Sequence, residues 1–172
     1  MKELLDYVKV YDDVVSSEEC DRLLEVCSTN EWTEGLTVDG KAGARECSVS
    51  FIKDKEVDSM IFDLVKKAFT RYREDFIWFN PTSDEGYVLL KYEVGGKYNY
   101  HTDQHENHNR QVTTIINLND EYEGGELAII DDSYKIEMKK GDVIMFPSNF
   151  QYPHSIKPIV SGTRYSMITW AS

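Results

Sequence analysis

The sequence predicts a mainly β protein, a double-sheeted jelly roll with supporting α-helices, and three observations predict it. From Pro81 onward the chain breaks into short runs rich in Val, Ile, Tyr and Thr, punctuated by Gly and Asp. Closely spaced runs bounded by turn residues are the pattern of a sandwich or roll. Before Pro81, two stretches carry apolar residues at helical spacing, so helices precede the β region and do not alternate with it. The chain has 172 residues, 41% of them hydrophobic, which suits one domain with a sizeable core. No repeat, low-complexity tract or linker marks a second domain. The expectation is a single domain over 1–172, with 1–80 as helical support and substrate loops and 84–172 as the jelly-roll core.

Taken in order, Ser16-Ser17-Glu18-Glu19 offers a capping box, after which Cys20, Leu23, Leu24 and Cys27 fall at helical spacing. This predicts a first helix near 17–29. The polar stretch from Gly35 to Gly43 reads as a loop, and a strand is expected around Arg45 to Ile52. From 56 to 76, Val57, Ile61, Leu64, Val65, Ala68, Phe69, Tyr72 and Phe76 trace one stripe of an amphipathic helix. Strands are then expected near 86–93, 98–103, 111–118, 126–130, 134–138, 142–146, 152–157 and 163–170. Lys140-Gly141-Asp142 reads as the hairpin turn before the buried run Val143 to Phe146.

A formal charge of −12 repels nucleic acid and anionic membrane at long range. Residues 84–137 carry 12 acidic side chains against 4 Lys or Arg, so no basic groove is visible there. Neither nucleic acid nor membrane is the expected partner; a small metabolite, a cation or a protein segment is. Cys20, Cys27 and Cys47 form neither a CxxC set nor an even disulfide framework, which suits a reducing compartment. With no hydrophobic leader and no apolar run of membrane-spanning length, the expectation is a soluble, cytoplasmic protein, in the host cytoplasm if viral.

The candidate chemistry starts at His101-Thr102-Asp103. In a strand, positions i and i+2 face the same way, so His101 and Asp103 can aim inward together. His154 lies 51 residues past Asp103, and Arg164 ten beyond His154. Two histidines and one carboxylate leave open positions on a metal, the arrangement of oxygen-activating non-haem Fe(II) sites. The residues alone leave other readings open: His101 and Asp103 as a hydrogen-bonded polar pair, Arg164 as a structural ion pair, Tyr92 as one sheet tyrosine among 11, Trp170 as a core aromatic. His105 would share the face of Asp103 if the strand continued and then compete as a ligand. The polar run Gln104 to Asn109 favours a loop for His105 and His108.

Context narrows this. Tyr92-Glu93-Val94-Gly95-Gly96-Lys97-Tyr98-Asn99-Tyr100-His101-Thr102-Asp103 is followed by Arg110-Gln111-Val112-Thr113-Thr114-Ile115-Ile116-Asn117-Leu118-Asn119 and by Gly124-Gly125-Glu126-Leu127. Then come Lys140-Gly141-Asp142-Val143-Ile144-Met145-Phe146-Pro147, His154, and Gly162-Thr163-Arg164-Tyr165-Ser166. In that order the motifs resemble the catalytic domain of the 2-oxoglutarate/Fe(II)-dependent dioxygenases, prolyl 4-hydroxylase-like branch, over about residues 84–172. The resemblance implies a double-stranded β-helix of the cupin kind, with His101, Asp103 and His154 as iron ligands. It implies that Arg164 pairs with the distal carboxylate of 2-oxoglutarate, a task that suits a forked guanidinium. It places Tyr92 and, more weakly, Thr113 at the co-substrate, and Arg110, Tyr98 and Trp170 toward the primary substrate. Asn117 departs from the pattern, standing where several relatives have a further tyrosine.

The same resemblance implies Fe(II), with 2-oxoglutarate and O2 as co-substrates and ascorbate as an optional stimulant. Decarboxylation to succinate and CO2 would be coupled to hydroxylation of an unactivated C–H bond. Asp103 stands where halogenating relatives have a small residue, which argues for hydroxylation. Position 170 is Trp where nucleic-acid demethylases have a second arginine, which argues against a nucleobase substrate. The leading expectation is a prolyl residue in a protein or peptide. The alternatives are a free amino acid or small metabolite, and a non-catalytic cupin-like metal-binding module. The loop from Thr33 to Ala44 and the segment Asn80 to Glu85 are turn-rich and are expected to cover the cleft.

Overall fold

A computed structural model describes residues 2–37, 43–104, 106 and 108–172. Strand β1 (Lys9–Tyr11) precedes helix α1 (Ser17–Thr29), which starts as the capping box requires. Ser16 Oγ accepts from the Glu19 N–H, while the Glu19 carboxylate accepts from the Ser16 N–H, so two orphan donors of the first turn are satisfied together. Its inner face is Cys20, Leu23 and Cys27. After β2 (Thr33–Glu34), the strand expected over 45–52 divides into β3 (Arg45–Glu46) and β4 (Ser48–Phe51). Helix α2 (Lys55–Asp75) is capped by Asp54, whose Oδ1 accepts from the N–H groups of Glu56 and Val57. It buries Ile61, Leu64, Val65, Ala68 and Tyr72.

The β region runs β5 (Val88–Tyr92), β6 (Lys97–His101), β7 (Val112–Asn117), β8 (Tyr122–Gly124), β9 (Leu127–Ile129), β10 (Lys135–Ile136), β11 (Val143–Pro147), β12 (His154–Ile156), β13 (Ile159–Gly162) and β14 (Arg164–Ala171). All pairings between these strands are antiparallel. Seven strands form one sheet in the order β1-β11-β7-β14-β5-β4-β2, and five form the second, β10-β9-β12-β6-β3. β13 and β8 make a separate ribbon. This is the jelly roll that the residue pattern predicted, with helices on one face of the larger sheet.

The larger sheet is buried on both faces. Leu89, Ile116, Val143, Met145 and Met167 join the residues of α1 and α2 in one apolar cluster. Their chain neighbours Leu90, Ile115, Ile144, Phe146 and Ile168 meet Leu127, Ile129 and Ile156 of the smaller sheet in another. Successive side chains of a strand point to opposite faces, so a central strand between two apolar layers reads as an unbroken apolar run, as Val143 to Phe146 does. The strands not foreseen, β1, β2, β8 and β13, have two to four residues, too few for a period-two signal. β3 and β4 separate because they join different sheets, β3 pairing with β6 and β4 with β5. The strand expected over 98–103 ends at His101, leaving Thr102 and Asp103 beyond it.

Candidate metal and co-substrate site

His101 is the last residue of β6 and His154 the first of β12, and the two are cross-strand partners. Partners across an antiparallel pair project side by side on one face. Their ring centroids lie 4.3 Å apart. Asp103 reaches back between them: Oδ1 is 3.6 Å from His101 Nε2 and Oδ2 is 3.5 Å from His154 Nε2. Those separations are too long for hydrogen bonds and place three donor atoms around a common point. All three lie within 4.8 Å of one another. The other ring nitrogens are engaged, His101 Nδ1 at 2.8 Å from the Asn99 carbonyl and His154 Nδ1 at 3.1 Å from the Tyr152 carbonyl. A carbonyl only accepts, so each Nδ1 carries the proton and each Nε2 presents its lone pair to the site.

Electrostatics agree with a neutral His101 imidazole beside an ionised carboxylate. Burial pushes the His101 pKa down, and His154 beside it adds to that, against the attraction of Asp103. Burial works to raise the Asp103 carboxyl, but His154 and His101, with Trp170 and Thr113, hold it below its usual range. The Thr113 hydroxyl donates to Asp103 Oδ2 at 2.7 Å, and Ser148 Oγ lies 2.9 Å behind it. A carboxylate cannot donate, so the single Thr113 proton goes to Asp103 and the Ser148 hydroxyl donates to Thr113. Thr113 is not among the side chains lining the cavity; it fixes the carboxylate from behind.

Arg164 opens β14 and is the cross-strand partner of Tyr92 at the end of β5. Its side chain is 1% exposed, yet its partners are neutral: Nε donates to Asn117 Oδ1 at 3.1 Å and one terminal nitrogen to Met138 Sδ at 3.3 Å. The other terminal nitrogen is buried with no partner among the described residues. Arg164 and Tyr92 line the same cavity as the His-Asp-His group, about 500 Å³ in volume. Burial and the neighbouring Cys47 push the Tyr92 phenol above its usual range, against the pull of Arg164 and Arg45.

Tyr98, Arg110 and Trp170 line the same cavity. A bulge explains the first. His154 and Ile156, two apart, pair with His101 and Tyr98, three apart, so β6 carries one extra residue and turns both rings inward. Tyr98 stacks on His101 at 3.6 Å between centroids. The Arg110 guanidinium lies 3.7 Å over the Trp170 ring and pairs with Glu85 Oε2 at 2.8 Å and 2.9 Å. The residue pattern placed Glu85 only in a segment expected to cover the cleft, and singled out neither its pairing with Arg110, nor Arg45, which rests over Tyr98, nor Ser148. Local sequence carries no signal for these contacts, since only folding makes them. His108 sits outside the named strands, 3.1 Å from Glu85, and His105 lies outside the described residues. Of the two segments expected to cover the cleft, Thr33, Glu34 and Leu36 border the cavity, while residues 38–42 lie outside the described residues. The segment near Thr82 and Ser83 is tied by backbone hydrogen bonds to Ser172.

Residues 87–172 match the family model of the 2OG-Fe(II) oxygenase superfamily. The chain belongs to that superfamily. The oxygenase is 27% identical over 167 residues to a PKHD-type hydroxylase of Synechococcus sp. (strain CC9311), covering 91% of this chain and 74% of that protein. Its fold matches the viral collagen prolyl hydroxylase from Paramecium Bursaria Chlorella virus-1, solved with 2OG, at a TM-score of 0.77 and 20% identity, over 96% of this chain and 95% of the other. A prolyl hydroxylase from Trichoplax adhaerens, solved with a peptide fragment of hypoxia inducible factor, matches at 0.75 and 19% identity, over 96% and 83%. The non-catalytic metal module considered from the sequence gives way to an enzyme. The donor set, the proton-free Nε2 atoms and the unpaired Arg164 nitrogen fit Fe(II) and 2-oxoglutarate, the groups the superfamily implies. No helix among the described residues is long and apolar enough to cross a membrane.

Proposed function

We propose that this oxygenase hydroxylates an unactivated C–H bond of a prolyl residue in a protein or peptide, with succinate and CO2 as co-products. The observation that carries the reading is Arg164, a buried guanidinium with one unpaired nitrogen and no carboxylate partner among the described residues. A buried cation without a counter-ion is costly, and a dicarboxylate entering beside the His-Asp-His group supplies one. In this reading His101, Asp103 and His154 hold Fe(II), Arg164 grips the far carboxylate of 2-oxoglutarate, and Tyr92 borders it. Iron with 2-oxoglutarate and O2 supplies the oxidising chemistry. The chain's own residues bind, orient and exclude water: Thr113 and Ser148 steady Asp103, the Asn99 and Tyr152 carbonyls set the imidazole tautomers, and Tyr98 backs the His101 ring. Residues 84–172 form the catalytic core and 1–80 support it.

A peptide is favoured over a free amino acid by the rim. Leu36 and Phe51 line the opening yet are 75% and 60% exposed, an apolar edge that a chain laid across the mouth would cover. Arg110 and Trp170 would then contact that chain. Anaerobic titration of the Fe(II)-loaded protein with 2-oxoglutarate, beside Arg164→Ala, tests the co-substrate site. A weak visible charge-transfer band that the variant loses is expected; its absence in wild-type protein that binds iron would sink the reading. Succinate release is expected with proline-containing peptides and not with free proline, and the reverse pattern would move the substrate to small molecules.

A further inference from the structure

We propose that Asn117 is a positioning residue for the anionic co-substrate: its carboxamide aims Arg164 while leaving the guanidinium charge uncompensated, so that the co-substrate's far carboxylate becomes the counter-ion. This rests on the reading of Arg164 given above. Asn117 is fully buried in β7, and the two N–H groups of its amide face three backbone carbonyls, one donating to Asn119 at 2.7 Å and the other shared between Met138 and Lys139, each at 3.3 Å. Three acceptors around one end identify that end as the nitrogen and leave the oxygen facing the other way. The oxygen accepts from Arg164 Nε at 3.1 Å and from the Tyr122 hydroxyl at 3.3 Å.

The second contact of the guanidinium is equally neutral, a terminal nitrogen on the Met138 thioether. A carboxylate at either place would set a negative charge against the guanidinium and cancel its own, whereas the carboxamide at 117 also satisfies the backbone carbonyls behind it. The chain has 31 Asp and Glu, so carboxylates are not scarce, yet none pairs with Arg164 among the described residues. Neutral partners orient the fork and keep its attraction for an incoming anion; a built-in carboxylate would compete with that anion directly. Asn117 and Met138 touch neither His101, Asp103 nor His154 in any hydrogen bond, so their effect on the metal is separable from their effect on the anion.

The test uses the whole chain with Mn(II) in place of iron, and 2-oxoglutarate titrated by calorimetry into wild type, Asn117→Asp and Met138→Glu. Both variants are expected to bind 2-oxoglutarate at least tenfold more weakly, about 1.4 kcal/mol, with the Mn(II) affinity within twofold of wild type. A smaller loss in a variant that still binds Mn(II) overturns the proposal. Loss of Mn(II) binding in both variants would assign these residues to the scaffold and overturns it too. Wild-type protein that takes Mn(II) but no 2-oxoglutarate removes the reading of Arg164 itself. Wild-type binding with undiminished binding in the variants removes only the role of Asn117.

Discussion

Thr113→Val deletes one hydroxyl at nearly constant shape, and the structure says what that hydroxyl does. Its proton is committed to Asp103 Oδ2 at 2.7 Å, and its oxygen accepts from Ser148 at 2.9 Å. The substitution therefore removes a hydrogen bond to an ionised group, about 1.5–3 kcal/mol, and leaves the fully buried Ser148 hydroxyl unsatisfied, about 1–3 kcal/mol more. The second loss falls on folding alone. The first falls on metal binding as well, because an untethered carboxylate must be re-ordered each time the ion enters. The expected outcome is a drop of about 10- to 100-fold in Fe(II) affinity, with 2-oxoglutarate affinity at saturating metal little changed. Anaerobic calorimetry of the metal-free protein measures the first number, and urea unfolding measures the stability loss. Metal affinity within twofold of wild type, alongside reduced stability, would refute the assignment and leave Thr113 as a packing residue.

Arg164→Met should make the ligand-free protein more stable, by about 1 kcal/mol or more, because it replaces an under-paired buried cation with an apolar side chain of similar length. It should also abolish stabilisation by 2-oxoglutarate; a variant less stable than wild type in urea would show that Arg164 supports the fold. Gly124→Ala should cost about 2 kcal/mol or more, since the glycine has φ of 77° and an added Cβ would press on the Pro158 carbonyl oxygen, loosening the β8–β13 ribbon beside Arg164. Thermal unfolding at an unshifted midpoint would contradict that. Burial pushes the Cys20 thiol up to about 11 and Cys27 up to about 12, so at pH 8 only about one in a thousand or fewer is thiolate. Iodoacetamide at pH 8 should modify Cys47 alone in native protein and all three cysteines in denaturant, with protection declining as pH rises toward those values; a second thiol labelled natively at pH 8 would count against the buried placement.

Much of this was local and therefore legible in the residue order. Ser16 and Glu19 cap α1 with groups three residues apart, and the stripe from Val57 to Tyr72 needs only helical periodicity, so both helices were readable to within a residue of their ends. The spacing of His101 and Asp103, with His154 and Arg164 downstream in a familiar order of motifs, pointed to the site before any strand was paired. What the residue order left undecided depends on partners distant along the chain. Whether Arg45 and Ser48 share a strand was decided by which sheet edge each met, β6 or β5. Tyr98 reaches the His101 ring only because β6 bulges against β12, a register shift that local residue preferences do not encode. Thr113 reads as a strand residue and becomes the tether of Asp103 through contacts to residues 10 and 35 positions away. The residues by themselves determined which donors and which cation this protein carries; tertiary structure alone decided that the cation would be buried among neutral partners, because charge compensation depends on three-dimensional neighbours and not on order along the chain.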